Sequence, residues 1–181
     1  GDRVRGNLNF FVYDIDNFIF GNRSGAELEN LPVYNILQGD SRFVGFDAQG
    51  SFRLAGQSWA TLGLGRVDAK LTATGEALPR IPPLRGTLRL DLPYRGLTFS
   101  PRVTFASRQD NVFRGETETD GYTLFDLRAS YIWARQRVAH IVSVTAANLA
   151  NELYRNHTSY IKDLAPEMGR SFRANYTLRF H

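Results

Sequence analysis

The sequence predicts an all-β fold, an antiparallel up-and-down arrangement of about eight transmembrane β-barrel strands. Three observations carry that prediction. Apolar and polar residues alternate with period two along most of the chain. The connections between the alternating segments are by turns long and short. The last segment ends at Phe180 and keeps an apolar or aromatic residue at every second position back to Phe172. Composition agrees: of 181 residues, 43% are hydrophobic, 13% aromatic and 22% charged, and none is cysteine. This excludes a disordered chain, a disulfide framework, a thiolate metal site and a cysteine nucleophile. The mean hydropathy of -0.31 and the lack of any apolar run of roughly 18 residues exclude a helical membrane span but not a barrel, whose strands average out. No basic and apolar leader opens the chain, which fits a cytosolic chain or a mature or internal segment of a longer one.

The strands are expected in order. The alternation is noisy near residues 7–20, 41–55 and 58–74, and becomes clean further on. Leu88, Leu90, Leu92 and Tyr94 oppose Arg89, Asp91 and Arg95. Leu97, Phe99, Val103 and Phe105 oppose Thr98, Ser100, Arg102 and Thr104. Phe125, Leu127, Ala129, Tyr131 and Trp133 oppose Asp126, Arg128 and Ser130. Residues 138–148 are apolar on both faces. In the last strand Phe172, Ala174, Tyr176, Leu178 and Phe180 oppose Arg173, Asn175, Thr177 and Arg179.

Long connections are expected at 21–40, 75–83, 109–121 and 149–170, and tight turns near 55–57, 95–96 and 134–137. In an up-and-down sheet every second connection falls on the same rim, so all the long ones share one side, as in outer-membrane barrels. Sequence parity alone does not say whether the apolar face points inward or outward. Three details favour outward: aromatics near strand ends, suited to interfacial girdles; strands of about 10–14 residues where soluble ones have about 5–6; and polar faces of mixed sign, suited to a wet lumen. The mixed-sign set is Asp47, Arg53, Arg66, Asp68, Lys70, Arg89, Asp91, Arg102, Arg108, Asp126, Arg128, Arg173 and Arg179.

Several longer motifs then take on a family likeness. Leu78-Pro79-Arg80-Ile81-Pro82-Pro83-Leu84-Arg85, Gly121 to Asp126, Ala147 to Arg155, His157 to Pro166 and Gly169 to Phe172 occur in linked order. With Asp16 to Phe20, Leu31 to Tyr34 and Gln38 to Asp40, they resemble the C-terminal part of TonB-dependent outer-membrane receptors across essentially the whole chain. The loop from His157 to Pro166 is most similar to the zinc-uptake branch. The resemblance implies a barrel of about 22 strands filled by an N-terminal plug, in the bacterial outer membrane, taking up a metal ion, metal chelate or similar scarce nutrient. It implies the TonB complex as partner through a plug that residues 1–181 do not include, together with outer-membrane lipid and the barrel assembly machinery. Phe172, Tyr176, Leu178 and Phe180 resemble the terminal assembly signal of such barrels, with His181 a departure from the usual final aromatic.

Candidate ligand contacts lie on the long connections. The 109–121 loop carries Asp110, Glu116, Glu118 and Asp120 against Arg114, and an acidic rim attracts cations. His157, with Tyr160, Asp163 and Glu167 nearby, is the candidate metal ligand, since a metal needs imidazole and carboxylate groups that converge. His140 reads as a wall residue with a satisfied hydrogen bond. The prolines at 79, 82 and 83 read as a rigid loop, and Asn148 and Asn151 as turn residues in left-handed geometry. No cofactor motif and no catalytic constellation is found. Ser143 and His140, three apart on a strand, point to opposite faces and cannot form a nucleophile–base pair. The net charge of +4 is spread over alternating strand positions, which argues against nucleic acid. Two rivals stay open at this stage: a self-contained eight-stranded membrane barrel of structural or adhesive type, in which residues 7–20 pair with 171–180, and a soluble barrel that binds a small ligand.

Overall fold

The structure is a computed structural model, and it describes residues 3–135 and 137–180. His181, the departure from a terminal aromatic, lies outside the described residues. Eight strands form one sheet in sequence order: β1 (Val4–Leu28), β2 (Leu31–Arg53), β3 (Trp59–Leu71), β4 (Arg85–Tyr94), β5 (Leu97–Ala106), β6 (Tyr122–Arg135), β7 (Val138–Ala147) and β8 (Ser171–Phe180). Each pairs antiparallel with the next. Among the described residues β1 and β8 do not pair, so the sheet is an open wall with two free edges. A self-contained eight-stranded barrel would require that pairing; this sheet is part of a larger barrel.

One face of the wall is covered at one end by the long connections, and the other is bare. The covered face holds the small core, Phe20, Ala69, Leu78 and Phe113, with Phe18, Phe43, Leu71 and Ile81 packed against it. The bare face carries the apolar positions of the alternation. Phe10, Leu62, Leu88, Phe99, Phe125 and Tyr131 are all exposed there, as are Phe172, Tyr176, Leu178 and Phe180 of β8. A soluble barrel would bury these residues, whereas a membrane wall turns them to lipid. Both free edges and the bare apolar face thus need surroundings other than water.

Two sequence expectations are corrected. Residues 21–40 are not a loop. β1 and β2 continue pairing to Leu28↔Leu31, and only Glu29 and Asn30 turn, at φ of 52° and 64°. Positive φ at both central residues marks a type I′ hairpin turn. This hairpin rises beyond the apolar band, where no lipid selects for alternation. The second correction concerns Arg66, Asp68 and Lys70, which do not join a lumen ladder. They share their face with Leu62 and Leu64, and Arg66 pairs with Phe46, Asp68 with Val44 and Lys70 with Arg42 across β2. Thirteen residues of β3 cover more than the apolar band needs (~9–11 for a tilted strand), so the same face passes from lipid into water at the long-loop end. There Arg42 binds Asp14 at 2.6 Å and Arg66 binds Asp68 at 3.0 Å. On the covered face the lumen reading holds for Arg102, which grips Asp126 at 2.6 Å, and for Arg89, 3.1 Å from Asp91.

A bulge makes the core possible. Ile15 pairs with Ser41 but Phe18 with Gly39, so Asp16 and Asn17 insert one extra residue into β1. Asn17 adopts φ of 55° and its N–H donates to Asp40 Oδ1 at 2.8 Å. The extra residue flips the parity and brings Phe18 and Phe20 to the covered face, where Phe18 meets Phe43 edge-on and Phe20 meets Phe113.

Candidate functional site

Three long connections, 72–84, 107–121 and 148–170, fold against one another on the covered face. Left-handed geometry starts the last of them, with Asn148 and Asn151 at φ of 50° and 56°. The Asn148 side chain accepts from the Glu152 N–H at 2.8 Å and donates to the Glu152 carbonyl at 2.8 Å, while its own N–H donates to Asp126. That closes the turn the Asn-Leu-Ala-Asn segment predicts. The proline loop is tied down too: Leu78 is buried, and Gln109 Nε2 donates to the Ile81 carbonyl at 2.9 Å.

Glu116, His157 and Lys162 meet in the interior of this cap. Lys162 Nζ lies 2.9 Å from Glu116 Oε1 and donates to the Thr117 carbonyl at 2.8 Å. His157 Nε2 lies 3.2 Å from the same carboxylate oxygen, and Thr119 Oγ1 is 2.9 Å from Nδ1. The Arg80 N–H donates to both carboxylate oxygens, at 3.0 Å to Oε1 and 3.2 Å to Oε2, and Lys162 Nζ is also 3.2 Å from Nδ1. With Nε2–H donating to Glu116, Nδ1 is the acceptor whose single lone pair the Thr119 hydroxyl and the Lys162 ammonium share. His157 is 2% exposed and Lys162 5%. Burial by itself would raise the Glu116 carboxyl, but the hydrogen bonds from His157 and Lys162 outweigh it and bring the carboxyl down to about 2.

This geometry bears on the metal expectation. Glu116 and His157 do converge, but the place a cation would take beside them holds the Lys162 ammonium, and both imidazole nitrogens are engaged. Among the described residues no group of three or more His, Asp or Glu could hold a metal ion. The cluster ties three loops together instead.

The other expected contacts fall outside that interior. Tyr160 is exposed; its ring meets Tyr34 edge-on at 5.8 Å, and the Arg80 guanidinium sits over it at 3.9 Å. Asp163 binds Arg23 at 3.1 Å and accepts from Thr117. Tyr34, Arg80, Arg23, Tyr160 and Asp163 line one small recess. Glu118 stands apart in an ion pair with Arg108, and Asp120 faces a second recess beside Arg85 and Arg155. Sequence reading missed Tyr34, Arg80, Arg23 and Lys162, because their partners lie on other loops, with no local spacing to reveal them. It also missed the ≈ 740 Å³ trough on the covered face, lined by Asn7, Asp47, Gln49, Arg85, Arg89 and Arg102.

Residues 1–151 match the family described as "TonB dependent receptor-like, beta-barrel". The chain belongs to that family. Solved structures agree in fold. The copper transporter OprC matches at TM-score 0.81 and 21% identity over 98% of this chain and 29% of that one. The ferric citrate transporter FecA, unliganded, matches at 0.73 and 18% over 98% and 29%. The ferripyoverdine receptor of the outer membrane of Pseudomonas aeruginosa matches at 0.63 and 16% over 98% and 25%. The chain therefore spans less than a third of the length of these structures. No curated protein matches it in sequence. A TonB-dependent receptor barrel wall places the chain in the bacterial outer membrane, with the bare apolar face against lipid and the covered face toward the lumen.

Proposed function

We propose that this wall and its loops belong to a receptor that takes up a metal ion, a metal chelate or a similar scarce nutrient, driven by the TonB complex. The observation that supports it best is the open eight-stranded wall whose long loops fold over the lumen side, in a chain of this family. A plug encoded outside residues 1–181 would fill the barrel and engage TonB, and the β8 residues Phe172, Tyr176, Leu178 and Phe180 would serve the assembly machinery. Glu118 and Asp120 are the acidic complement of the rim, with Tyr160 and Asp163 at its accessible recess, and His157 and Glu116 lie behind them in the interior of the cap. The exposed edge of that recess favours a preformed anionic chelate over a bare ion: the Arg80 guanidinium over the exposed Tyr160 ring offers stacking and charged hydrogen bonds, while Arg23 is already paired with Asp163. Zinc, to which the 157–166 loop points by resemblance, is the competing substrate.

The test is uptake by cells in which the full-length protein is the sole receptor of its kind, with radiolabelled zinc, copper, ferric citrate and a ferric siderophore supplied separately. Accumulation of one of them that disappears when TonB is deleted supports the proposal. Accumulation that is the same without TonB, or none for any substrate by a protein shown to be assembled, overturns it.

A further inference from the structure

The charges of this wall are sorted by height. Residues 3–12, 50–62, 92–100, 131–142 and 174–180 form the short-turn end, and none is Asp or Glu; the acidic residues that the registers bring level with them, Asp47 opposite Asn9 and Asp91 opposite Trp59, both lie on the lumen face. That end carries Arg3, Arg5, Arg53 and Arg179, and also Arg95, Arg135 and Arg137 in the two turns β4–β5 and β6–β7. Among the described residues the acidic ones lie on the lumen face and at the long-loop end. Arg95, Arg135 and Arg137 are exposed, and among the described residues none of the three is in an ion pair.

The two turns are neighbours. Leu97 pairs with Tyr131, and the Ile132 N–H donates to the Gly96 carbonyl at 2.9 Å, which sets Arg95 beside the end of β6. Arg135 has the parity of Tyr131 and Trp133, so it leaves β6 on the bare, lipid-side face. Just inside the arginines that face carries a belt of rings. Tyr131 stacks on Trp133 at 5.6 Å, Trp133 lies parallel to His140 at 4.8 Å, and His140 Nδ1 is 2.7 Å from the Tyr176 hydroxyl. The Arg95 guanidinium sits 5.4 Å from the centre of the Tyr94 ring. Amphipathic rings of this kind settle at the level of lipid headgroups.

We infer that Arg95, Arg135 and Arg137, with the Tyr131–Trp133–His140–Tyr176 belt, form a binding surface for an anionic phospholipid of the leaflet that the short turns meet. The belt continues the lipid-facing band, so what lies beside it is membrane. A phosphodiester of phosphatidylglycerol type brings the negative charge that three unpaired arginines lack, at the height where the rings hold the glycerol region. Guanidinium forks bind phosphate oxygens in pairs. Basic groups at an anionic leaflet each strengthen binding about fivefold, and three together supply a clear preference over a zwitterionic lipid.

The test uses the full-length protein reconstituted in an equimolar mixture of phosphatidylglycerol and phosphatidylethanolamine, extracted gently, with retained lipid counted by native mass spectrometry. The expected result is retention of phosphatidylglycerol over phosphatidylethanolamine, falling at least tenfold in R95Q/R135Q/R137Q. The same preference persists in R128Q/R170Q/R173Q, which removes equal charge elsewhere. Raising the salt in the unmutated protein should weaken the preference, a readout that needs no variant to fold. Equal retention of both lipids, an undiminished preference in the first variant, or an equal loss in the second overturns the inference. So does binding of soluble polyglutamate through the same arginines without any lipid preference, which would give the rim to an acidic protein partner.

Discussion

Replacing Lys162 by Met in the full-length protein tests the account of the loop cap. The Glu116 carboxylate is 9% exposed and depends on Lys162, His157 and the Arg80 N–H. Its carboxyl is brought from 4.5 to about 2, and at about 1.4 kcal/mol per unit this corresponds to roughly 3 kcal/mol of stabilisation. Because the folded value lies below the unfolded one, that stability is fully present above about pH 4.5 and is lost as pH falls toward about 2. Taking away the ammonium leaves a buried carboxylate short of its cation, a change that typically costs about 3–5 kcal/mol. Hydrogen exchange at pH 7 should then show the 107–121 and 149–170 segments opening about a hundredfold more often in K162M. As the pH is lowered toward 3 the difference between the two proteins should shrink, since the unmutated cap loses its own share. Unchanged exchange at pH 7, or a difference that grows on acidification, would refute the reasoning.

Four further outcomes follow from the same geometry. Gly45 sits where an added Cβ would meet Phe11 Cζ at 2.4 Å and the Arg66 carbonyl oxygen at 2.6 Å; Gly45→Val should therefore destabilise the wall by about 1–3 kcal/mol, read as a lower unfolding temperature of the detergent-solubilised protein. Asn148→Ala removes both side-chain bonds to Glu152 and should cost about 1–3 kcal/mol, read as faster proteolysis of the 149–170 loop. Glu29→Asn with Asn30→Gly supplies residues that favour positive φ, and should stabilise the hairpin tip by about 0.5–1 kcal/mol, read as slower amide exchange at Leu28 and Leu31. In the recess, Arg80→Met keeps the stem but not the charge over Tyr160, and should weaken binding of an anionic chelate about tenfold, measured by equilibrium binding to assembled receptor.

The strands from β4 onward were legible because lipid on one side and water on the other select each residue separately. Leu88 to Tyr94 and Phe172 to Phe180 therefore sort cleanly by parity, and the structure keeps their registers. The same physics explains the failures. Above the apolar band one face of β1 and β2 meets water and the other the polar cap, so Gly21 to Arg23 read as loop although they are paired. Asp16 and Asn17 are ordinary polar residues, and nothing local announces that they form a bulge which swaps the faces of Phe18 and Phe20. For the cap, residue chemistry singled out Glu116 and His157 separately, each on its own loop, and gave His157 the company of Asp163 and Glu167 instead of Glu116. The lysine that completes their charge balance lies 46 positions from Glu116, on another loop, and only the fold brings it in.

The two free edges of the wall differ greatly in height. β1 has 25 residues and β8 has 10, which at about 3.3 Å per residue is about 80 Å of strand against about 33 Å. The rim on the long-loop side is therefore a ramp and not a level ring. Within this sector the Glu29–Asn30 tip stands clear of the cap on the β1 side alone, with the sheet stepping down toward β8.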